Sequence, residues 1–192
     1  MEKIYWESIE VNHRKFFFTV TSKGLSFVSS PGRYLSEIFE FYPNNRYNYQ
    51  FMYDEKVTNI YLDELTEYFN KKRKSFDLPL DLANIGTDLQ HQVWDAIQKI
   101  PYGDTVTYKQ LAENVGKPKA IRAVASAVAR NPILIVVPCH RVIRASGELG
   151  DYRGGKDIKK ELLDFEKQPA AKQTLIKKLP LPRLSQLGRP DL

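Results

Sequence analysis

The sequence predicts a mixed α/β (α+β) protein with a small sheet-and-helix unit first and a mostly helical unit after it. Aromatic and β-branched runs are concentrated in residues 16–53, whereas apolar residues recur at helical spacing from residue 88 onward. With 192 residues, 42% hydrophobic and 12% aromatic, the chain is long enough to bury a core. We divide it into an N-terminal α/β domain (1–80), a linker (81–86), a second domain (87–166) and a basic, proline-containing tail (167–192).

The first domain contains three runs typical of β-strands, at residues 16–20, 25–28 and 49–53. Ser-Lys-Gly and Pro-Asn-Asn turn signals separate these runs. A helix is predicted over 58–72, because apolar residues recur there at helical spacing. Residues 73–86, which contain a proline and end in a glycine, read as the connection to the second domain.

The second domain is predicted to be mostly helical. Thr107 is a typical N-cap, and Gly116-Lys117-Pro118 forms a turn between two short helices. This pair of helices is a helix–turn–helix candidate. The predicted helices cover residues 88–100, 108–115, 119–130 and 156–166.

The helix at 119–130 has an unusual outer face. Its core-facing positions are predicted to be Ile121, Val124, Ala125 and Val128, at i, i+3, i+4 and i+7. The opposite face carries one arginine among small side chains, namely Arg122, Ala123, Ser126, Ala127 and Ala129. Such a face would let the backbone approach a narrow minor groove closely. It would equally suit a second buried face packed against another helix.

Cys139 is the only cysteine in the chain, so it is either an inert core thiol or a reactive one. The apolar run 133–137 reads as a buried strand that Pro138 ends, which presents the cysteine at the strand end. His140, Arg141 and Arg144 place positive charge nearby, an environment that lowers a thiol pKa. These neighbours favour a reactive thiol.

The net charge of +6 is unevenly distributed. Residues 105–145 hold seven basic side chains and one acidic one, and residues 167–192 hold six and one. Such clusters are typical of phosphate-binding surfaces, although an ordinary solvated face remains an alternative. The tail reads as a flexible extension that adds non-specific DNA affinity or binds another partner.

Several classes of protein are not indicated. No apolar run approaches the ~20 residues that span a bilayer, and no signal peptide is recognisable. A single free cysteine fits a reducing compartment, cytoplasmic or, in a eukaryote, nuclear. The three histidines are far apart and have no cysteine partners, so we expect no metal site and no cofactor.

The motifs around the cysteine resemble one family. Pro-Cys-His-Arg-Val at 138–142 is followed by Ser-Gly at 146–147 and Gly-Asp-Tyr-Arg-Gly-Gly at 150–155. Upstream lie Gly-Thr-Asp-Leu-Gln at 86–90, Val-Trp at 93–94, Ile-Pro-Tyr-Gly at 100–103 and Thr-Tyr-Lys-Gln-Leu-Ala at 107–112. In this order and spacing, ending at Glu166, they resemble the O6-alkylguanine-DNA alkyltransferases, also called methylated-DNA–protein-cysteine methyltransferases. Residues 1–80 and 167–192 carry no motif of this family.

The resemblance implies DNA repair by direct, irreversible alkyl transfer from O6 of guanine to Cys139, with O4 of thymine as an open second target. It implies a single turnover, base flipping, and an RNase H-like domain before the helix–turn–helix domain. The implied partner is double-stranded DNA containing O6-alkylguanine. The protein is expected to be a monomer, with cooperative binding on DNA left open.

The resemblance also assigns catalytic roles. Cys139 is the nucleophile, activated by a relay through water, His140 and Glu166. Tyr108 donates to a ring nitrogen of the leaving guanine, and Asn131 braces the turn before the active-site segment.

The remaining assignments concern DNA and the flipped base. Arg122 matches the residue that takes the place of the flipped base, and Arg153 stands where relatives carry a small hydroxyl side chain. The expected DNA contacts are Tyr108, Lys119, Arg122, Ala123, Ser126, Arg130 and Arg141. The expected base pocket comprises Cys139, Val142, Tyr152, Arg153 and Gly154.

Three other classes of function compete with this interpretation. A non-enzymatic lesion-binding protein is the closest, but relatives of that kind have Trp in place of the cysteine. A cysteine hydrolase would need an acyl-enzyme motif, which is not visible. A transcription factor of this family would need an additional domain.

Overall fold

A twisted sheet organises the first part of the chain in the computed structural model, which describes residues 2–32, 36–41, 49–169 and 176–178. Strands β1 (Glu2–Val11), β2 (Arg14–Thr21) and β3 (Gly24–Val28) form an antiparallel meander. After helix α1 (Ser36–Phe41), strand β4 (Tyr49–Met52) returns parallel to β1. The resulting strand order is β3-β2-β1-β4.

Both faces of this sheet are covered. Phe16 and Phe18 of β2 face the main core, whereas Phe17 points to the other side, where it packs with Phe27 and with Ile38 of α1. Helix α2 (Glu55–Phe69) lies on the main-core side. It starts three residues before the predicted helix, because Asp54 caps it by accepting a hydrogen bond from the backbone N–H of Lys56.

The connection between the two parts is fastened to the edge of β3. Leu25 donates its backbone N–H to Pro79 O, and Asp81 donates to Leu25 O, both at 2.8 Å. The hydroxyl of Thr21 donates to the Asp81 carboxylate at 2.5 Å. The connection is thus an ordered addition to the sheet.

Four helices build the second part: α3 (Asp88–Gln98), α4 (Tyr108–Asn114), α5 (Ile121–Ala129) and α6 (Lys156–Lys167). Capping boxes start α3 and α4, at Thr87/Gln90 and Thr107/Gln110. A two-stranded parallel ladder joins β5 (Val106–Thr107) to β6 (Val142–Ile143). One continuous apolar cluster runs from the sheet through these helices. The predicted strands and helices are confirmed, with ends shifted by up to three residues, except for the run before Cys139.

The predicted strand over 133–137 is wrong. These residues are buried, but they form consecutive turns, and only Ile133 makes a bridge, to Val28. Ile135 has a left-handed backbone, with φ of 74°, which no strand residue adopts. The active-site segment is therefore a compact coil.

Part of the predicted tail joins the sheet. Strand β7 (Ile176–Lys178) pairs antiparallel with Ile9–Val11 of β1, beyond the point where β4 ends. The side-chain ammonium of Lys178 lies 3.1 Å from the carboxylate of Glu55. The prediction of a flexible extension is therefore wrong for residues 176–178, which form a strand. Residues 170–175 and 179–192 of the tail lie outside the described residues. No helix within the described ranges is long and apolar enough to cross a membrane.

Candidate active site and DNA interface

Cys139 is the first residue of a 3₁₀ turn, Cys139–Arg141, that follows Pro138. Only 3% of the residue is exposed. Its Sγ accepts a hydrogen bond of 3.1 Å from the side-chain amide of Asn131. The thiol is therefore buried in the protein.

Asn131 holds the segment that carries the thiol. Its Nδ2 also donates to Val137 O at 2.8 Å, and its Oδ1 accepts from the backbone N–H of Ile133 at 2.9 Å. The buried Asn131 amide thus bonds both the beginning and the end of the segment 133–137 and also contacts the sulfur. These bonds compete with a strand ladder, which explains why a β-branched run is not a strand here.

Burial raises the pKa of the Cys139 thiol, although the hydrogen bond from Asn131 and the positive charges of Lys159 and Arg153 act in the opposite direction. The expectation of a lowered thiol pKa from His140, Arg141 and Arg144 is therefore wrong for the unliganded protein. Two cations from elsewhere in the fold, Lys159 and Arg153, instead favour the thiolate through their positive charge. The resting nucleophile is a neutral thiol that needs a base.

Glu166 lies at the centre of a buried hydrogen-bond network. Its carboxylate accepts from the Tyr68 hydroxyl at 2.7 Å and from the Gly103 backbone N–H at 2.9 Å. It also accepts two bonds of 2.9 Å from Arg141 and lies 2.9 Å from His140 Nε2. Burial opposes ionisation, but the hydrogen bonds from His140 and Arg141 hold the pKa of Glu166 well below its usual range.

His140, the residue after Cys139, is fully buried. Burial lowers its pKa despite the neighbouring Glu166, so the ring is neutral at pH 7. Because Nε2 faces a carboxylate, we assign the ring proton to Nε2, which leaves Nδ1 as an acceptor. In the described part of the chain, Nδ1 is buried and has no hydrogen-bond partner. It is a base without a proton.

Arg141 does not lie at a DNA surface. Only 5% of the residue is exposed, and its guanidinium donates to Glu166 and, at 2.6 Å, to Ile100 O. The prediction of Arg141 as a DNA contact is therefore wrong. Its positive charge instead compensates the buried carboxylate of the network.

Lys159 is a site residue that the sequence interpretation missed. It is fully buried, its ammonium donates to Val142 O at 2.6 Å and to Asp151 O at 3.4 Å, and burial lowers its pKa to about 8. A signal existed, because Lys159 precedes three other buried residues of α6, Leu162, Leu163 and Glu166, at i+3, i+4 and i+7. This spacing places it on the inner face of the helix.

An open cavity of about 350 Å³ lies between α4, α5 and the loop after β6, where the sequence interpretation expects contacts with DNA. Ile121 and Ala125 line it together with Arg122, although both were predicted to face the core. Ala127, predicted on the outer face, is buried. The remaining predicted contacts lie at least partly exposed on the surface: Lys119, Arg122, Ala123, Ser126 and Arg130.

Tyr108 reaches this cavity from the first turn of α4. Burial, followed by the negative charge that Cys139 would carry as a thiolate, raises the pKa of Tyr108. Its hydroxyl packs against Gly150, where a Cβ would lie 2.8 Å from Tyr108 Oη. Gly150 also has φ of 72°, so glycine is required here on two grounds.

We expect Gly150→Ala to lower the rate of the reaction at Cys139 by about tenfold, because the new methyl group would displace the Tyr108 hydroxyl. The strained backbone would also lower the free energy of unfolding by about 1–3 kcal/mol. The rate of covalent modification of Cys139 checks this. The matched control is Gly147→Ala, which has a similar φ of 87° but would bring its new methyl group within 4 Å of no other atom. Equal losses in both variants would show that backbone strain alone is responsible.

The predicted base pocket lies between His140 and the loop 150–155. Val142 is buried, and the Tyr152 ring meets the His140 ring edge-on, with centroids 6.5 Å apart. The buried Tyr152 hydroxyl has no partner among the residues described. Gly154 packs against Tyr152, and the Arg153 side chain points away toward β3.

Comparisons with known proteins agree with this geometry. Residues 88–168 match the family model described as 6-O-methylguanine DNA methyltransferase, DNA binding domain. The inducible methylated-DNA–protein-cysteine methyltransferase of Bacillus subtilis is 40% identical over 168 residues, which cover 88% of this chain and 93% of that protein. The protein named methylated-DNA–protein-cysteine methyltransferase from Methanosarcina barkeri is 53% identical over 103 residues, which cover 54% of this chain and 64% of that protein.

Solved structures agree as well. The crystal structure of Mycobacterium tuberculosis OGT in complex with DNA aligns with a TM-score of 0.71 and 36% identity, covering 85% of this chain and 92% of that chain. Fold and site together define a DNA-binding alkyltransferase whose acceptor is a buried cysteine. The chain belongs to the methylated-DNA–protein-cysteine methyltransferases, and as a member it serves DNA repair by alkyl transfer.

Proposed function

We propose that this protein removes an alkyl group from O6 of guanine in duplex DNA by irreversible transfer to Cys139, once per molecule, after flipping the base. One observation carries the chemistry. His140, the residue after the thiol in sequence, is held through Nε2 by Glu166, while its Nδ1 is buried and has no hydrogen-bond partner among the described residues. Such a base can take up the thiol proton through one water molecule.

In this proposal the bonds, electrons and protons of the transfer balance without a cofactor. The thiol proton passes to His140 Nδ1, and the Cys139 sulfur attacks the alkyl carbon as a thiolate. A carbon–sulfur bond forms while the carbon–O6 bond breaks, and the electron pair stays with the guanine. Tyr108, whose raised pKa keeps its hydroxyl protonated, donates to the guanine ring as negative charge develops there. The thioether that results is stable, so the protein acts once.

Base flipping follows from the burial of the nucleophile. The alkyl carbon on a paired guanine lies within the base stack, and a thiol that is 3% exposed cannot reach it there. We infer that α4 and α5, joined by a turn with Gly116 at φ of 68°, act as a helix–turn–helix that presents α5 to the minor groove. Arg122, on the cavity side of α5, would then fill the space that the base leaves.

The first part of the chain is inferred to be an RNase H-like domain. Support comes from the strand order β3-β2-β1-β4 and from β4, which returns parallel to β1 after a helix. In this proposal the protein binds O6-alkylguanine duplexes as a monomer.

Intact-mass measurement after incubation with a duplex containing one O6-methylguanine tests the proposal. We expect a gain of one methylene, about 14 Da, which saturates at one per molecule and maps to Cys139. Cys139→Ala should bind the duplex and gain no mass. Binding by the wild type without a mass gain would make the protein a lesion sensor and would remove the roles proposed for His140 and Glu166.

A further inference from the structure

The Arg153 side chain connects the base-pocket loop to the N-terminal sheet. Its Nη2 donates to Val28 O, the last residue of β3, at 2.5 Å, and to Pro132 O at 3.2 Å. Its guanidinium also lies 4.9 Å from the centroid of the Phe27 ring. One side chain thereby joins three segments that are far apart in sequence.

A carboxylate from α1 completes this contact. Glu37 Oε1 lies 3.6 Å from Arg153 Nε, and both groups are largely buried, with side-chain exposures of 12% and 22%. Glu37 is itself held by Ser30, whose backbone N–H and hydroxyl each donate to it at 2.9 Å. The ion pair therefore links α1, the segment after β3 and the loop.

The loop is also packed tightly at this point. A Cβ on Gly154 would lie 2.8 Å from the Tyr152 ring and 3.2 Å from Pro31. Val28 donates its N–H to Pro132 O at 3.0 Å, one residue from Asn131, which contacts the Cys139 sulfur. The N-terminal sheet is thus in contact with the loop 150–155 and with the segment that holds Cys139.

We propose that Arg153 is a positioning residue that holds the base-binding loop against the N-terminal sheet, so that the first domain forms part of the wall of the alkylguanine pocket. This inference rests on the proposed function. The side chain does not read the base, because it points away from the pocket and its Nη2 donates to Val28 and Pro132. The N-terminal domain thereby sets the affinity of the pocket for the flipped base.

The test measures modification of Cys139 by the free base O6-benzylguanine, which needs no flipping, as a function of its concentration. In this proposal the loop contacts the base equally before and during transfer, so its displacement weakens binding and leaves the chemical step unchanged. We expect Arg153→Ala to raise the half-saturating concentration about tenfold or more, with the maximal rate within about threefold of wild type. Glu37→Gln, and Arg153→Lys as the conservative rescue, should give intermediate values.

Arg73→Ala is the matched control. Arg73 is similarly buried, with 25% side-chain exposure, and binds two carboxylates, Glu64 and Glu67, but it does not touch the loop. The Arg73→Ala variant should have the same half-saturating concentration of O6-benzylguanine as the wild type.

Two results would overturn the inference: a folded Arg153→Ala protein with an unchanged half-saturating concentration, or one in which only the maximal rate falls. If Arg153→Ala does not fold, half-saturating concentrations equal to wild type in both Glu37→Gln and Arg153→Lys would overturn the inference. If the wild type reacts with neither the free base nor the duplex, that result would instead contradict the proposed function.

Discussion

Glu166→Gln is expected to abolish most of the transfer activity and to destabilise the protein by about 3–5 kcal/mol, because it leaves the buried Arg141 without its counter-charge. The effect on activity arises from the tautomer of His140. A glutamine amide can donate to Nε2, which places the ring proton on Nδ1, where the base is needed. Loss of a correctly protonated general base costs about 10²–10⁴ in rate, with the wrong tautomer of a catalytic histidine at the upper end. Single-turnover kinetics of Cys139 methylation and denaturant unfolding measure the two effects.

The same substitution should change the acid stability. The pKa of Glu166 is lowered in the folded protein, so its contribution to stability is fully present above the unfolded value of about 4.3 and is lost as the pH falls below it. In wild type, the free energy of unfolding should therefore decline with falling pH in this range. In Glu166→Gln, this part of the decline should be missing.

Glu161→Gln provides the control on the same helix. Glu161 pairs with Arg14 through two hydrogen bonds, one of 3.0 Å, but its side chain is 56% exposed. An exposed pair contributes about 0–1 kcal/mol, so stability and transfer rate should change little. Equal effects of the two substitutions would contradict a special role for the buried network. If Glu166→Gln does not fold, Glu166→Asp keeps the charge and should retain measurable transfer.

The fold was predictable where local pattern and tertiary context agree. The capping residue Thr107 and the spacing within α3 to α6 predict those helices to within two residues at each end. Strand β1 was not predicted, because Lys3, Glu7 and Glu10 interrupt its apolar residues. It forms because β2 pairs with it on one side, and β4 and β7 pair with it on the other. Tertiary pairing overrides weak local propensity there.

The candidate site was predictable only in part. The adjacency of Cys139 and His140 is visible in the sequence, but its electrostatics are not, since burial reverses the expected direction of the thiol pKa. Lys159 lies on a helix face that the spacing identifies as internal, yet a lysine there ordinarily indicates solvent. Its buried position is possible because the carbonyls of Val142 and Asp151 receive its ammonium. These two carbonyls come within reach of the lysine only when the chain folds, so the sequence does not reveal them.

Arg122→Ala should slow transfer from duplex DNA without affecting transfer from a free base. Arg122 is exposed at the start of α5 and lines the cavity beside Ile121, which is itself 38% exposed. Within the described residues, no hydrogen bond or ion pair fixes its guanidinium, so the side chain can move into the duplex. Filling the gap left by a flipped base offsets part of an unstacking cost of a few kcal/mol. Its loss should therefore reduce the duplex rate by about tenfold to hundredfold.

The comparison of substrates separates base flipping from simple phosphate attraction. Cys139 should react with free O6-benzylguanine equally fast in Arg122→Ala and in wild type, because that reaction involves no base stack. Arg122→Lys keeps the charge and should bind duplex DNA with nearly wild-type affinity and salt dependence, yet it should still lose rate at saturating duplex. A lysine variant with the full wild-type rate would show that Arg122 acts only as a phosphate contact. Equal losses with duplex and free base would place its effect on the pocket and would contradict the role in flipping.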